Sequence, residues 1–270
     1  MTQRTGTAAP ARRAVTGATV LLAATTLLTG CSGDGDSPEP SRSPDPKAAL
    51  LAAVPDEKDP AFLFTGTDVT GTVSGSVDPA SKGMELNVVQ KDAEAGFTMR
   101  MSFRVIDQQS WMKVDFDGAE ELSTLLKLPK RWMELDESKL TDPKGVPAYE
   151  GADPGNAGVI LRTAGGIQQQ PDGSYRGTVD LTSGPDIADA VDGVDVAALG
   201  DAAKAVPFTA VVGPDGNLTT LTVDIPAAGA QKATKYVVKY SDFGNAPAVT
   251  APSGDDVEAA PASAYELLNG

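Results

Sequence analysis

Phe97-Thr98-Met99-Arg100-Met101-Ser102-Phe103-Arg104-Val105 carries an apolar side chain at every odd position and Thr98, Arg100, Ser102 and Arg104 between them. Successive side chains of a strand point to opposite faces, so this run predicts a half-buried strand with one apolar and one wet face. The same rhythm returns in Met84/Leu86/Val88, Met112/Val114/Phe116, Tyr175/Val179/Leu181, Leu221/Val223/Ile225 and Tyr236/Val238/Tyr240. One-sided burial repeated in this way predicts an antiparallel sheet covered on a single face. Pro171-Asp172-Gly173-Ser174 and Pro214-Asp215-Gly216-Asn217 stand between strand-like runs and supply the positive-φ positions of hairpin turns.

Helical material is interspersed at 119–128, 156–163 and 187–205, in short, Ala-rich and only modestly apolar stretches. Gly193 and Gly200 interrupt the last, which predicts two short helices and no long one. A further short helix is expected over Lys47–Val54, with Asp45 or Pro46 near its start and Leu50, Leu51 and Val54 on one face. The resulting fold class is α+β, a strongly curved antiparallel half-barrel whose concave face is covered by short helices.

The N-terminus has the three parts of an export leader. Arg4, Arg12 and Arg13 come first with no acidic residue, then the apolar run Ala14 to Leu28, then Leu28-Thr29-Gly30-Cys31. That run is about fifteen residues, diluted by four threonines, and short of the ~20 a membrane span needs. The last four residues form a bacterial lipobox, which predicts cleavage before Cys31 and diacylglycerol on its thiol, anchoring the mature chain at the extracytoplasmic face of the cell membrane. Arg12-Arg13 leaves both a general secretory route and a twin-arginine route open. The predicted divisions are a lipoprotein signal peptide over 1–30, a Ser/Pro/Asp-rich spacer over 31–46, the folded domain over 47–252, and an acidic Ala/Pro-rich tail over 253–270 whose Ala262–Leu268 stretch could form a last helical turn or two. The spacer holds no large apolar residue and cannot bury anything, so it is expected to stay disordered.

Charge and composition narrow the function. The chain carries 22 basic and 37 acidic residues; without the first 30 residues 19 and 37 remain, a net charge of −18. Such acidity repels nucleic acid and anionic membrane surfaces, so neither is expected as a direct partner. No histidine occurs and Cys31 is the only cysteine. These facts argue against a Ser-His-Asp triad, His-dependent base catalysis, common zinc sites, thiol catalysis and disulfides, so no enzyme, cofactor or metal is expected. Carboxylates capable of glycosidase chemistry are plentiful, but they sit on polar strand faces and in turns as a solvated surface requires. Asp115, Asp117 and Glu120 around Gly118 resemble a calcium loop in composition, yet no glutamate stands at the twelfth position, and a turn before a helix is the expected reading. Trp111 alternates with Lys113 and Asp115 on a polar strand face, where it either packs under a loop or marks a contact surface.

The lipobox and spacer, the curved strands with Ser110-Trp111-Met112-Lys113-Val114-Asp115, the later Arg131-Trp132-Met133-Glu134-Leu135, and the closing Tyr240-Ser241-Asp242-Phe243-Gly244 with Val249-Thr250-Ala251-Pro252 together resemble the LppX/LprAFG lipoproteins of actinobacteria. These are distant relatives of the LolA/LolB lipoprotein carriers. The resemblance implies a half-barrel whose concave, helix-covered side encloses acyl chains and is used to move or present lipids and lipidated molecules outside the membrane. The expected partners are a lipid or glycolipid ligand and a membrane transporter, and the expected state is a monomer.

Leu86, Val88, Met99, Met101, Phe103, Val114 and Phe116 are the candidate cavity lining. The pattern fits an ordinary core equally, since every one-sided sheet buries its apolar face. Thin Ala-rich helices leave volume that large side chains would otherwise fill, and Gly165, Gly166, Gly193 and Gly200 are candidate hinges. The competing function is a surface accessory lipoprotein with a filled core, acting through its polar face around Trp111, Lys113 and Arg131. A two-lobed solute-binding lipoprotein would need parallel βαβ units, and that pattern is missing.

Overall fold

A computed structural model describes residues 45–67, 71–142, 145–191 and 193–269. The leader, the lipobox with Cys31 and nearly all of the spacer lie outside the described residues. The remainder belongs to one compact unit, Ser43–Gly270.

The unit is mixed α+β and dominated by one sheet of twelve strands. They are β1 (Phe62–Thr67), β2 (Thr72–Asp78), β3 (Gly83–Asp92), β4 (Phe97–Ile106), β5 (Gln109–Asp117), β6 (Trp132–Glu134), β7 (Gly165–Gln169), β8 (Tyr175–Val179), β9 (Val206–Val212), β10 (Leu218–Ile225), β11 (Thr234–Ser241) and β12 (Val257–Ala259). Their order is β12-β6-β5-β4-β3-β2-β1-β11-β10-β9-β8-β7, so the sheet is open, with β12 and β7 at its edges. Every pairing is antiparallel except β12 with β6. Among the described residues the α-helices are short: α1 (Pro46–Ala53) before the first strand, α2 (Glu121–Leu125), α3 (Ala157–Arg162), α4 (Pro185–Ala190) and α5 (Val196–Leu199) between strands, and α6 (Ala262–Asn269) after the last.

Local chemistry explains the joints. Asp45 caps α1 by accepting from the Lys47 amide at 3.1 Å, with Pro46 in the first turn, where its missing N–H costs nothing. Both turns expected from Pro-Asp-Gly are present, joining β7 to β8 and β9 to β10, with Gly173 at φ 84° and Gly216 at φ 87°. The 187–205 stretch divides at Gly193 and Gly200 into α4, α5 and a 3-10 segment over Gly200–Ala205.

Register aligns apolar side chains in rows that run across the sheet. One row is Tyr240, Phe64, Gly75, Leu86, Phe103, Met112 and Met133, from β11 through β6. Its neighbour is Val238, Gly66, Val73, Val88, Met101 and Val114. Gly75 is required in the first row, because a Cβ there would stand 1.8 Å from the Glu85 carbonyl oxygen and 2.9 Å from the Phe64 ring.

Over this face the buried residues form two clusters. The first joins Leu50, Phe62, Phe64, Ile160, Leu161, Ile187, Phe208, Leu221, Val238 and Tyr240 with their neighbours, tying α1, α3 and α4 to the strands from β1 to β9. The second joins Phe103, Met112, Val114, Phe116, Leu128, Met133, Leu135, Val146, Ala264 and Tyr265. Leu86 touches both.

The C-terminus departs from the sequence reading. Residues 253–270 were expected as a tail outside the domain, but β12 pairs with β6, Ala264 and Tyr265 are buried, and the Tyr265 hydroxyl accepts from the Asp136 amide at 2.8 Å. The first helix begins at Pro46 with Asp45 as its cap, the two residues expected near its start.

Candidate functional site

Between the two clusters the apolar face is not filled. A cavity of about 770 Å³ lies there, floored by Phe64 of β1, Val73 of β2, Met84, Leu86 and Val88 of β3, and Met101 and Phe103 of β4. Its opposite wall comes from the 145–154 loop, from Asn156 and Val159 at the start of α3, and from Leu267 and Leu268 of α6. Strand alternation supplies the floor: Phe64, Leu86 and Phe103 come from one cross-strand row and Val73, Val88 and Met101 from its neighbour, while Met84, two residues before Leu86 on β3, pairs with Val77 and Val105 in the next row.

Four of the seven predicted lining residues meet here: Leu86, Val88, Met101 and Phe103. The other three do not line it. Val114 and Phe116 are buried in the second cluster, where Phe116 meets Phe97 edge to face with ring centroids 5.9 Å apart. Met99 packs half-buried against the same cluster. They occupy the part of the face that Leu122, Leu128 and the C-terminal helix fill, so their rows continue the floor into solid core. Gly165, Gly166, Gly193 and Gly200 are not among the residues that line the cavity.

Phe64, Val73, Leu267 and Leu268 belong to the site and were not read from the sequence. Phe62-Leu63-Phe64 is an unbroken apolar triplet with no alternation before Thr65-Gly66-Thr67, and Leu267-Leu268 sits in what resembles a tail. Met84 carried the right signal, being in register with Leu86 and Val88.

The wall opposite the sheet is clamped by polar side chains. The Tyr240 hydroxyl donates to Asp153 Oδ1, the Gly158 amide donates to Asp153 Oδ2 at 2.8 Å, and the Tyr236 hydroxyl donates to the Gly155 carbonyl. Gly155 passes so near β11 that a Cβ would lie 2.3 Å from Val238 Cγ2. Burial pushes the Asp153 carboxyl above the usual carboxylate range, against the pull of the Tyr240 hydroxyl, the Gly158 and Ala157 amides and the Arg162 charge. Burial, followed by the Asp153 charge, likewise pushes the Tyr240 phenol up. Beside them the Tyr149 hydroxyl donates to Glu57, 3.0 Å from Oε2, and its phenol is raised by burial and by that carboxylate.

A second hollow of about 510 Å³ shares Glu150, Gly151, Asp153, Asn156 and Val159 with the cavity and adds Asp56, Glu57 and Arg162. The site therefore has an apolar floor and a polar, mainly acidic rim.

On the other face of the sheet, Arg104 Nε donates to Glu85 at 2.7 Å and its guanidinium lies 4.6 Å from the Trp132 ring centroid. Trp111 is packed, at 4% exposure. The loop resembling a calcium site is held otherwise: Asp117 pairs with Arg100 at 2.7 Å, Asp115 with Lys113 at 3.7 Å, and Glu120 accepts from the Gly118 amide at 3.4 Å. Among the described residues no helix is long and apolar enough to cross a membrane. No family model matches the chain, and no curated protein matches it.

Proposed function

We propose that the protein is a lipid-anchored lipoprotein of the LppX/LprAFG type, held outside the cell membrane through Cys31, that binds or carries lipid or lipidated molecules in the cavity over β1–β4. In this reading the open twelve-stranded sheet curves as a half-barrel, with the cavity on its covered, concave side. The observation that carries the proposal is the unfilled space of about 770 Å³ between two packed clusters, floored by seven apolar side chains. Its volume lies within the range of roughly 300–1,000 Å³ usual for ligand sites. Apolar side chains beside an unfilled space forgo packing contacts, so a floor of this extent favours an aliphatic guest.

The mechanism is partition without catalysis. Each methylene removed from water contributes about 0.8 kcal/mol, so one acyl chain laid along Leu86, Val88, Met101 and Phe103 would be held firmly against return to solvent. Its polar end would meet Glu150, Asp153 and Asn156. Release to an acceptor membrane or transporter requires the 145–154 wall or α6 to move.

Val88→Trp tests the site. Val88 is half-buried on the cavity floor, so an indole there occupies guest volume with little disturbance of either cluster. The folded variant should take up markedly less of an acyl-chain fluorophore than the parent chain. Equal uptake by a folded Val88→Trp protein would place the ligand elsewhere and reject this site.

A further inference from the structure

We infer that the tip formed by Leu125, Leu126 and the basic segment after them is a docking surface for an anionic phospholipid bilayer. Leu125 is 74% exposed and Leu126 40%, which makes them the only adjacent pair among the exposed large hydrophobic residues described. Isolated exposed leucines need no explanation, but a pair at the end of a helix beside concentrated charge does. From residue 122 to 133 the chain holds Lys127, Lys130 and Arg131 and no carboxylate, in a protein with 37 acidic residues against 22 basic. None of these three cations forms an ion pair among the described residues.

The tip is held in shape. The Leu126 amide closes on the Leu122 carbonyl at 2.8 Å, and Lys127 turns the chain at φ 54°. Leu128, buried in the second cluster, then anchors the far side. Ser263 Oγ donates to the Lys127 carbonyl at 3.3 Å and ties the tip to α6. Order of this kind removes the entropy that a flexible loop would lose on docking. Behind the tip Lys130 and Arg131 border a notch of about 320 Å³ with Arg104, Lys113 and Trp132, faced by one carboxylate, Asp256. An aliphatic tip backed by cations and an indole matches the layering of an anionic membrane surface, with acyl region beneath phosphate.

At physiological salt the screening length is about 8 Å, so the interaction is set by the tip, where Lys127, Lys130 and Arg131 outnumber Glu120 and Glu121 one turn before it, and not by the distant carboxylates. Each basic residue at an anionic surface strengthens partition about fivefold, and three give about a hundredfold.

Vesicle flotation of residues 43–270, which hold every described strand and helix and both clusters but lack Cys31, tests the inference directly. At physiological salt the domain should float with phosphatidylglycerol-rich vesicles and at least about tenfold less with pure phosphatidylcholine. Leu125→Ser with Leu126→Ser, and separately Lys127→Gln with Lys130→Gln and Arg131→Gln, should each cut partition about tenfold or more without altering the near-ultraviolet circular dichroism. Leu125→Trp should show a blue-shifted emission on the anionic vesicles. No flotation, equal flotation with both lipids, leucine variants that float as the parent does, or an unshifted Leu125→Trp spectrum would overturn the inference. So would a dimer in sedimentation that the leucine variants dissolve, which would assign the tip to a second copy of the chain.

Discussion

Leu86→Ala and Met112→Ala should differ sharply in cost, although both residues are apolar members of one cross-strand row. Met112 is 0% exposed and lies between Phe103 and Met133, so truncation leaves a new void inside packed core. Such Met→Ala changes cost about 2–5 kcal/mol, and about 3 is expected here. Leu86 is half-buried with one side on the cavity. Its loss forfeits part of the ~1.5–3 kcal/mol for burying a leucine and adds no separate void, since the space beside it is already open, so about 1 kcal/mol is expected. Urea unfolding reads the difference. With slopes of about 2–3 kcal/mol per M, the two midpoints should lie about 0.7–1 M apart, provided the slopes agree. Equal losses near 3 kcal/mol would show Leu86 to be enclosed in solid core and would refute the cavity as described.

Two further outcomes follow from the wall and the C-terminal helix. Burial raises the folded Asp153 carboxyl above its ordinary 3.8, so this group contributes stability below that value and loses it as pH rises through the folded value. Asp153→Asn keeps an acceptor for the Tyr240 hydroxyl and removes the titration, so the variant should gain on the parent as pH rises from 3.8 toward neutrality; identical pH profiles of unfolding midpoint would contradict the assignment. Tyr265→Phe deprives the Asp136 amide of its acceptor and should cost about 1–2 kcal/mol in the same assay, whereas unchanged stability would mean that water replaces the hydroxyl without penalty.

The sheet was legible where burial is one-sided over several residues. The runs in β3, β4, β5, β8, β10 and β11 alternate because each has one face on a cluster and one in water, and that contrast is written locally. β2, Thr-Val-Ser-Gly-Ser-Val-Asp, gives almost no such contrast, because Gly75 is there to admit Phe64 and the Glu85 backbone. β12 has three residues and depends wholly on pairing with β6, which no local pattern announces. The same division runs through the site. Leu86, Val88, Met101 and Phe103 could be placed on one face from alternation, but where the filled core ends and the cavity begins is set by Leu122, Leu128 and α6 above Met99, Val114 and Phe116. The far wall is set by Asp153, Tyr236 and Tyr240 meeting across more than 80 residues of chain.

The most direct test of a lipid-binding role is native mass spectrometry with lipid extraction on residues 43–270, as purified and after exposure to membrane lipid extract. The account predicts a stoichiometric co-purifying or acquired lipid whose occupancy falls in Val88→Trp. A clean apo mass that remains unchanged when lipid is offered would contradict it and leave a surface interaction protein, acting through the polar face around Trp111, Lys113 and Arg131, as the better description.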